Sequence, residues 1–158
     1  MRQRSAFKIV EFRSQLLDDW IALRCLLWPD GSEQERRIEA ETLLQRAGRA
    51  VVFLAQSTEL VRIGFAEATL RCDYVNGCAT SPVAFLEGIY LQPGWRRCGV
   101  ARQLCNAIEQ WAAGVGCSEF ASDTEFENTA AQHMHLALGF EETERVVYYR
   151  KRIEPSQY

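Results

Sequence analysis

The chain has 158 residues, the size of one ordinary domain, and 47% of them are hydrophobic, which excludes a disordered chain. Eighteen Lys and Arg against 21 Asp and Glu leave a net charge of −3. That balance speaks against general nucleic-acid binding and suits a cationic substrate better.

No apolar run reaches the roughly 18 residues of a membrane-spanning helix, so no membrane partner is expected. Met1 to Val10 lacks the continuous apolar segment of a secretory leader. Cys25, Cys72, Cys78, Cys98, Cys105 and Cys117 show no CxxC spacing and no nearby histidine, so no metal site is expected. They read as reduced thiols of a cytoplasmic protein.

Phe7 to Phe12 alternates and predicts a first strand. Leu16, Leu17, Trp20, Leu23 and Leu27 recur at helical spacing, predicting a helix that stops before Pro29. Ser32 followed by Glu35 is a capping-box signature for a helix from about Glu33 to Ala47. Ala50–Gln56 and Val61–Arg71, parted by a short polar turn, predict a hairpin. After a longer connection, Val83 to Leu91 is a near-continuous apolar strand of a sheet interior.

Beyond Pro93, Val100, Leu104, Ile108, Trp111 and Val115 form the stripe of a long amphipathic helix. Glu119 to Ser122 predicts a short strand, and Asn128 to Leu138 a helix with Asn128 as N-cap and Gly139 beyond its end. Glu141 to Arg152 is again strand-like, followed by a polar tail. The order predicts one mixed α/β domain over residues 1–158, with helices on both faces of one sheet.

The stretch from Phe85 to Ala101 carries the chemistry. A buried strand ends, and a basic, glycine-containing turn opens a helix whose first N–H groups lack helical acceptors. With the helix dipole, Gly99 and the charges of Arg96 and Arg97, this suits a pyrophosphate. It is neither a P-loop nor a dinucleotide fingerprint. An ordinary strand–turn–helix with two solvated arginines is the alternative.

Arg96-x-x-Gly99-x-Ala101 after an apolar strand resembles the Arg/Gln-x-x-Gly-x-Gly/Ala signature of the GCN5-related N-acetyltransferase (GNAT) superfamily. Asn128, Ala131 and Leu138-Gly139-Phe140 match that superfamily's last helix. Five further segments resemble the aminoglycoside 6′-N-acetyltransferases: Leu27-Trp28-Pro29, Asp73 to Cys78, Phe85 to Ile89, Ala121 to Thr124 and Gly139 to Arg145.

The resemblance implies a twisted, mostly antiparallel sheet splayed between its fourth and fifth strands. It also implies acetyl-CoA as co-substrate, an aminoglycoside as acceptor and a homodimer. Ile89, Tyr90 and Leu91 would meet the pantetheine arm. Arg96, Arg97, Cys98, Gly99, Val100, Ala101 and Arg102 would surround the pyrophosphate, and Asn128 would hydrogen-bond the cofactor. Trp28, Tyr74, Glu87, Asp123 and Glu144 would line the antibiotic site. Another small amine, such as a polyamine or an amino acid, or a protein amine, is the alternative acceptor.

Two carboxylates are the candidate catalytic groups. Asp123, at a strand end, is the first choice of base, with Glu87 acting through water as its competitor. Glu87 lies in an apolar strand, where it needs either a cationic substrate or a salt bridge with an arginine. Glu144 either serves the site or pairs with an arginine such as Arg145. His135 stands where the superfamily often places a proton-donating tyrosine, and reads either as that donor or as a packed helix residue.

Overall fold

The computed structural model describes residues 6–155. Residues 1–5 of the Met1–Val10 stretch and 156–158 of the polar tail lie outside the described residues.

Strands β1 (Phe7–Glu11), β2 (Ala50–Ser57), β3 (Arg62–Arg71), β4 (Val83–Leu91) and β5 (Phe120–Ser122) form one sheet in sequential order. The first four pair antiparallel, and β5 joins β4 in parallel. Helices α1 (Leu17–Leu27) and α2 (Glu33–Leu44) come before β2, α3 (Val100–Gly114) lies between β4 and β5, and α4 (Thr129–Leu138) follows β5.

The alternation of each strand sends its apolar side chains to two cores. On one face Val100, Leu104 and Ile108 of α3 pack on Val51, Ala66, Ala68 and Leu86. On the other, Trp20, Ile21 and Leu23 of α1 with Ala40 of α2 cover Val52, Leu54 and Phe65. The expected helices on both faces are present. Each buried Val, Leu, Ile or Phe side chain here contributes roughly 1.5–3 kcal/mol.

Local chemistry sets the helix ends. Ser32 and Glu35 form the expected capping box. Asn128 caps α4 by accepting from the Ala131 N–H at 3.0 Å, and Gly139 closes it with a left-handed φ of 97°. Helix α2 stops at Leu44, three residues early, because tight turns from Leu43 to Arg46 and from Arg46 to Arg49 replace helical bonds.

One expected element is absent. Residues 141–155 form neither strand nor helix, and Val147, Tyr148, Tyr149 and Ile153 face solvent. Strand-like composition needs an edge to pair with, and the outer strand on that side, β5, is only three residues long.

Candidate active site

The ladder between β3 and β4 pairs Thr69 with Phe85, Ala68 with Leu86, and then Glu67 with Gly88. Glu87 is therefore the extra residue of a β-bulge, a device that re-aims a side chain. Simple alternation would send Glu87 and Gly88 to opposite faces. Here both serve the α1–α2 side. Glu87 lines a cleft there, and a Cβ on Gly88 would come within 2.6 Å of the Trp28 indole.

The cleft holds about 460 Å³, and Trp28, Arg24, Glu39, Glu67, Arg71 and Glu87 all reach it. At its base the buried Glu67 carboxylate accepts from the Trp20 indole N–H at 2.9 Å and pairs with Arg24. Burial pushes the Glu67 carboxyl upward, opposed by the Arg24 charge and the hydrogen bonds from Arg24 and Trp20. Arg24 also reaches Glu39 at 2.9 Å and lies 4.7 Å from the centre of the Trp28 ring. Burial of Glu39 acts upward too, but hydrogen bonds from Arg36 and Arg24 outweigh it and hold that carboxyl below its ordinary range. Trp28 is thus wedged between a cation and the β4 backbone.

At the mouth of the cleft Glu87 accepts from the Thr69 hydroxyl at 2.5 Å and from Arg71 Nη2 at 3.1 Å through both oxygens. Of the two readings of Glu87, a partner arginine is what the protein itself supplies.

Strand β5 pairs with Ala84, Phe85 and Leu86 alone, so the sheet splays from Glu87 onward as expected. Among the described residues, the β4 edge from Glu87 through Ile89 and Tyr90 to Leu91 has no strand neighbour on that side. Asp123 directly follows the last paired residue, Ser122, and is exposed. His135 Nδ1 bonds the Ala131 carbonyl at 2.7 Å, and its Nε2 lies 2.8 Å from Ser122 Oγ. With the proton on Nδ1, the other nitrogen accepts from the serine hydroxyl.

The basic turn leads into α3 through Arg97 and Gly99, both at positive φ (60° and 86°). Gly99 is the N-cap, without a side chain to offer, and the first turn of α3 carries no acidic residue. Among the described residues, a Cβ at Gly99 would meet nothing within 4 Å, so its approach is open. The donors at Val100, Ala101 and Arg102 are therefore available to an anion such as a diphosphate. Two arginine side chains are committed elsewhere. Arg96 Nε donates to the Leu91 carbonyl at 3.1 Å, and Arg102 to the Ala137 carbonyl at 2.6 Å. The Cys98 thiol donates to the Arg96 carbonyl at 3.4 Å.

Tyr74, Asp123 and Glu144 do not line the cleft that joins Trp28 to Glu87. Tyr74 is 75% exposed on the connection between β3 and β4. That connection meets the Glu144 segment where Gly77 packs against Thr143. Arg145 pairs with Glu142 at 2.5 Å, leaving Glu144 exposed beside them. Arg24, Glu67 and Arg71 join the site only through the fold. A carboxylate within the apolar Ile63–Leu70 run was the available signal, the same one that marked Glu87.

Comparison with known proteins agrees with this architecture. The profile described as the acetyltransferase (GNAT) family matches residues 15–140, and the chain belongs to that family. Its relatives include an aminoglycoside N(6′)-acetyltransferase type 1 from Salmonella typhimurium, 52% identical over 86% of this chain and 92% of that protein. A protein of the same name from Acinetobacter genomosp. 13 is 48% identical over 92% and 98%. Among solved structures, AAC(6′)-Iy in complex with the bisubstrate analog CoA-S-monomethyl-acetylneamine superposes with a TM-score of 0.87, at 48% identity over 94% of this chain and 100% of that one. The aminoglycoside antibiotic 6′-N-acetyltransferase AAC(6′)-Ih from Acinetobacter baumannii gives 0.88, at 45% identity over 94% and 100%.

Proposed function

We propose that this single domain transfers the acetyl group of acetyl-CoA directly to the 6′-amino group of aminoglycosides, and so confers resistance to them. The observation that carries the reading is the position of Glu87. One residue opens both a charged cleft on the sheet face, lined by Glu39, Glu67 and Glu87 against Arg24, Arg46 and Arg71, and a strand edge beside it that β5 leaves free. The similarity to enzymes of that activity, near half identity over almost the whole chain, supports it.

Acetyl-CoA supplies an activated thioester. The free edge at Ile89, Tyr90 and Leu91 aligns the pantetheine arm, and a backbone N–H near Ile89 polarises the thioester carbonyl. The turn from Arg96 through Arg97, Cys98, Gly99, Val100 and Ala101 to Arg102 holds the diphosphate. Asn128 spends its side-chain oxygen on capping α4 and keeps its amide N–H groups for the cofactor. Trp28 and Glu87 bind the polycation in the cleft, and the exposed Tyr74, Asp123 and Glu144, which lie outside that cleft, meet the rest of the drug.

A protonated amine cannot attack a thioester, so a base must take its proton. Asp123 is that base, with Glu87 acting through water as the competing choice. The departing thiolate takes its proton from the Ser122 hydroxyl, which the cationic form of His135 re-supplies from Nε2–H, leaving the neutral imidazole with its proton on Nδ1. No acetyl-cysteine is formed, and Cys98→Ala retains activity.

The reading includes a homodimer in the cytoplasm. Its supports are the exposed apolar arm from Val146 to Ile153 and the six free thiols, which suit a reducing compartment.

The test is thiol release from acetyl-CoA across aminoglycosides, with NMR of the product. Turnover with 6′-amino but not 6′-hydroxyl drugs is expected, and preference for a polyamine or a protein amine would overturn the acceptor. Asp123→Asn should lower kcat far more than it weakens acetyl-CoA binding, and an unchanged pH–rate profile would remove Asp123 from the role of base. Sedimentation of the intact chain tests the dimer.

A further inference from the structure

The cleft contains two arginine–glutamate pairs of opposite character. Arg24 and Glu67 are sealed, their side chains 6% and 3% exposed. Arg71 and Glu87 are 42% and 27% exposed, an ion pair in contact with water that can exchange partners at small cost. Arg71 is the last residue of β3. Its Nη2 reaches both Glu87 oxygens at 3.1 Å, and its guanidinium carbon lies 3.4 Å from the centre of the Phe85 ring.

That geometry is how a carboxylate and an aromatic face would receive an organic ammonium group. We infer that Arg71 is an internal stand-in for the substrate's ammonium: it occupies Glu87 in the free protein and is displaced when the aminoglycoside binds. The inference rests on the reading of Glu87 as a substrate carboxylate. Its physical content is competition. Glu87 in an apolar strand is costly when unpaired, so Arg71 keeps it neutralised between turnovers. The drug then gains only the difference between its own contact and the one it replaces. Arg71 therefore lowers affinity for the acceptor and does not touch acetyl-CoA.

The experiment is calorimetric binding of an aminoglycoside to the intact protein without acetyl-CoA, for wild type, Arg71→Ala, Arg71→Gln and Glu87→Gln. Removing Arg71 should tighten drug binding roughly two- to fivefold, the worth of a half-solvated pair, with the Kd for acetyl-CoA unchanged. The Arg71 Nε–H resonance should shift on addition of drug to wild type. Unchanged or weaker drug binding in both Arg71 variants, with the fold intact by circular dichroism, would overturn the inference while leaving the function standing. If Glu87→Gln does not weaken drug binding, the reading of Glu87 itself fails, and this inference with it.

Discussion

His135 and Ser122 meet through a 2.8 Å hydrogen bond at the last rung joining β5 to β4, the imidazole locked from behind by the Ala131 carbonyl. A ring fixed at one nitrogen presents the other in a set direction. If the two act as one donor, His135→Ala and Ser122→Ala should each lower kcat on the order of 10²-fold, and the double variant no further. A double-mutant cycle on kcat checks this. Additive losses would mean that the two act independently, and no loss in kcat that the pair only packs.

Gly88 is the seat of Trp28. In Gly88→Ala the new methyl would sit 2.6 Å from the indole, and the ring, held by Arg24, has little room to retreat. The expected outcome is a loss of about 1–3 kcal/mol in stability and a raised KM for aminoglycosides. KM for acetyl-CoA should hold. Urea unfolding followed by tryptophan fluorescence, with steady-state kinetics, measures both.

Arg24→Ala should destabilise the fold by about 3–5 kcal/mol, because it strands the Glu67 carboxylate in the core. Arg24→Met with Glu67→Leu should recover most of that loss, since the pair's desolvation is removed along with its attraction. Equilibrium denaturation of the two variants against wild type decides it. Equal losses in the single and double variants would show that shape, not charge, is what matters there.

The connection carrying Tyr74 is tied down by Glu119. Its Oε1 accepts from the Ala79 and Thr80 N–H groups at 2.9 and 2.7 Å and from the Thr80 hydroxyl at 2.5 Å. The Thr80 hydroxyl bond chiefly, with the two backbone donors, holds this carboxyl below its ordinary value of 4.5. A depressed folded pKa means the tether is complete at neutral pH and is lost as pH falls through that lowered value. The Ala79 and Thr80 amide shifts should titrate together with a midpoint below 4.5. In Glu119→Gln they should stay flat.

Much of this protein was legible because its signals are local. The capping box at Ser32 and Glu35, the Asn128 cap, the Gly139 stop and the α3 stripe each depend on residues within a few turns of one another. So does the Arg96–Arg102 turn, since an unsatisfied helix start is built from consecutive backbone groups. Glu87 stood out as a charge in an apolar strand, and that discord is visible in any linear string.

What tertiary structure alone decided is which way those residues look and what they meet. The bulge that turns Glu87 and Gly88 to one face is a property of the β3–β4 register, because an extra residue in one strand is defined only against its partner. Arg71 beside Glu87, and His135 against Ser122, join segments 16 and 13 residues apart. The segment after Glu141 has the composition of a strand but pairs with no strand among the described residues. Composition sets a preference for extended backbone, whereas pairing requires a second strand within hydrogen-bonding reach.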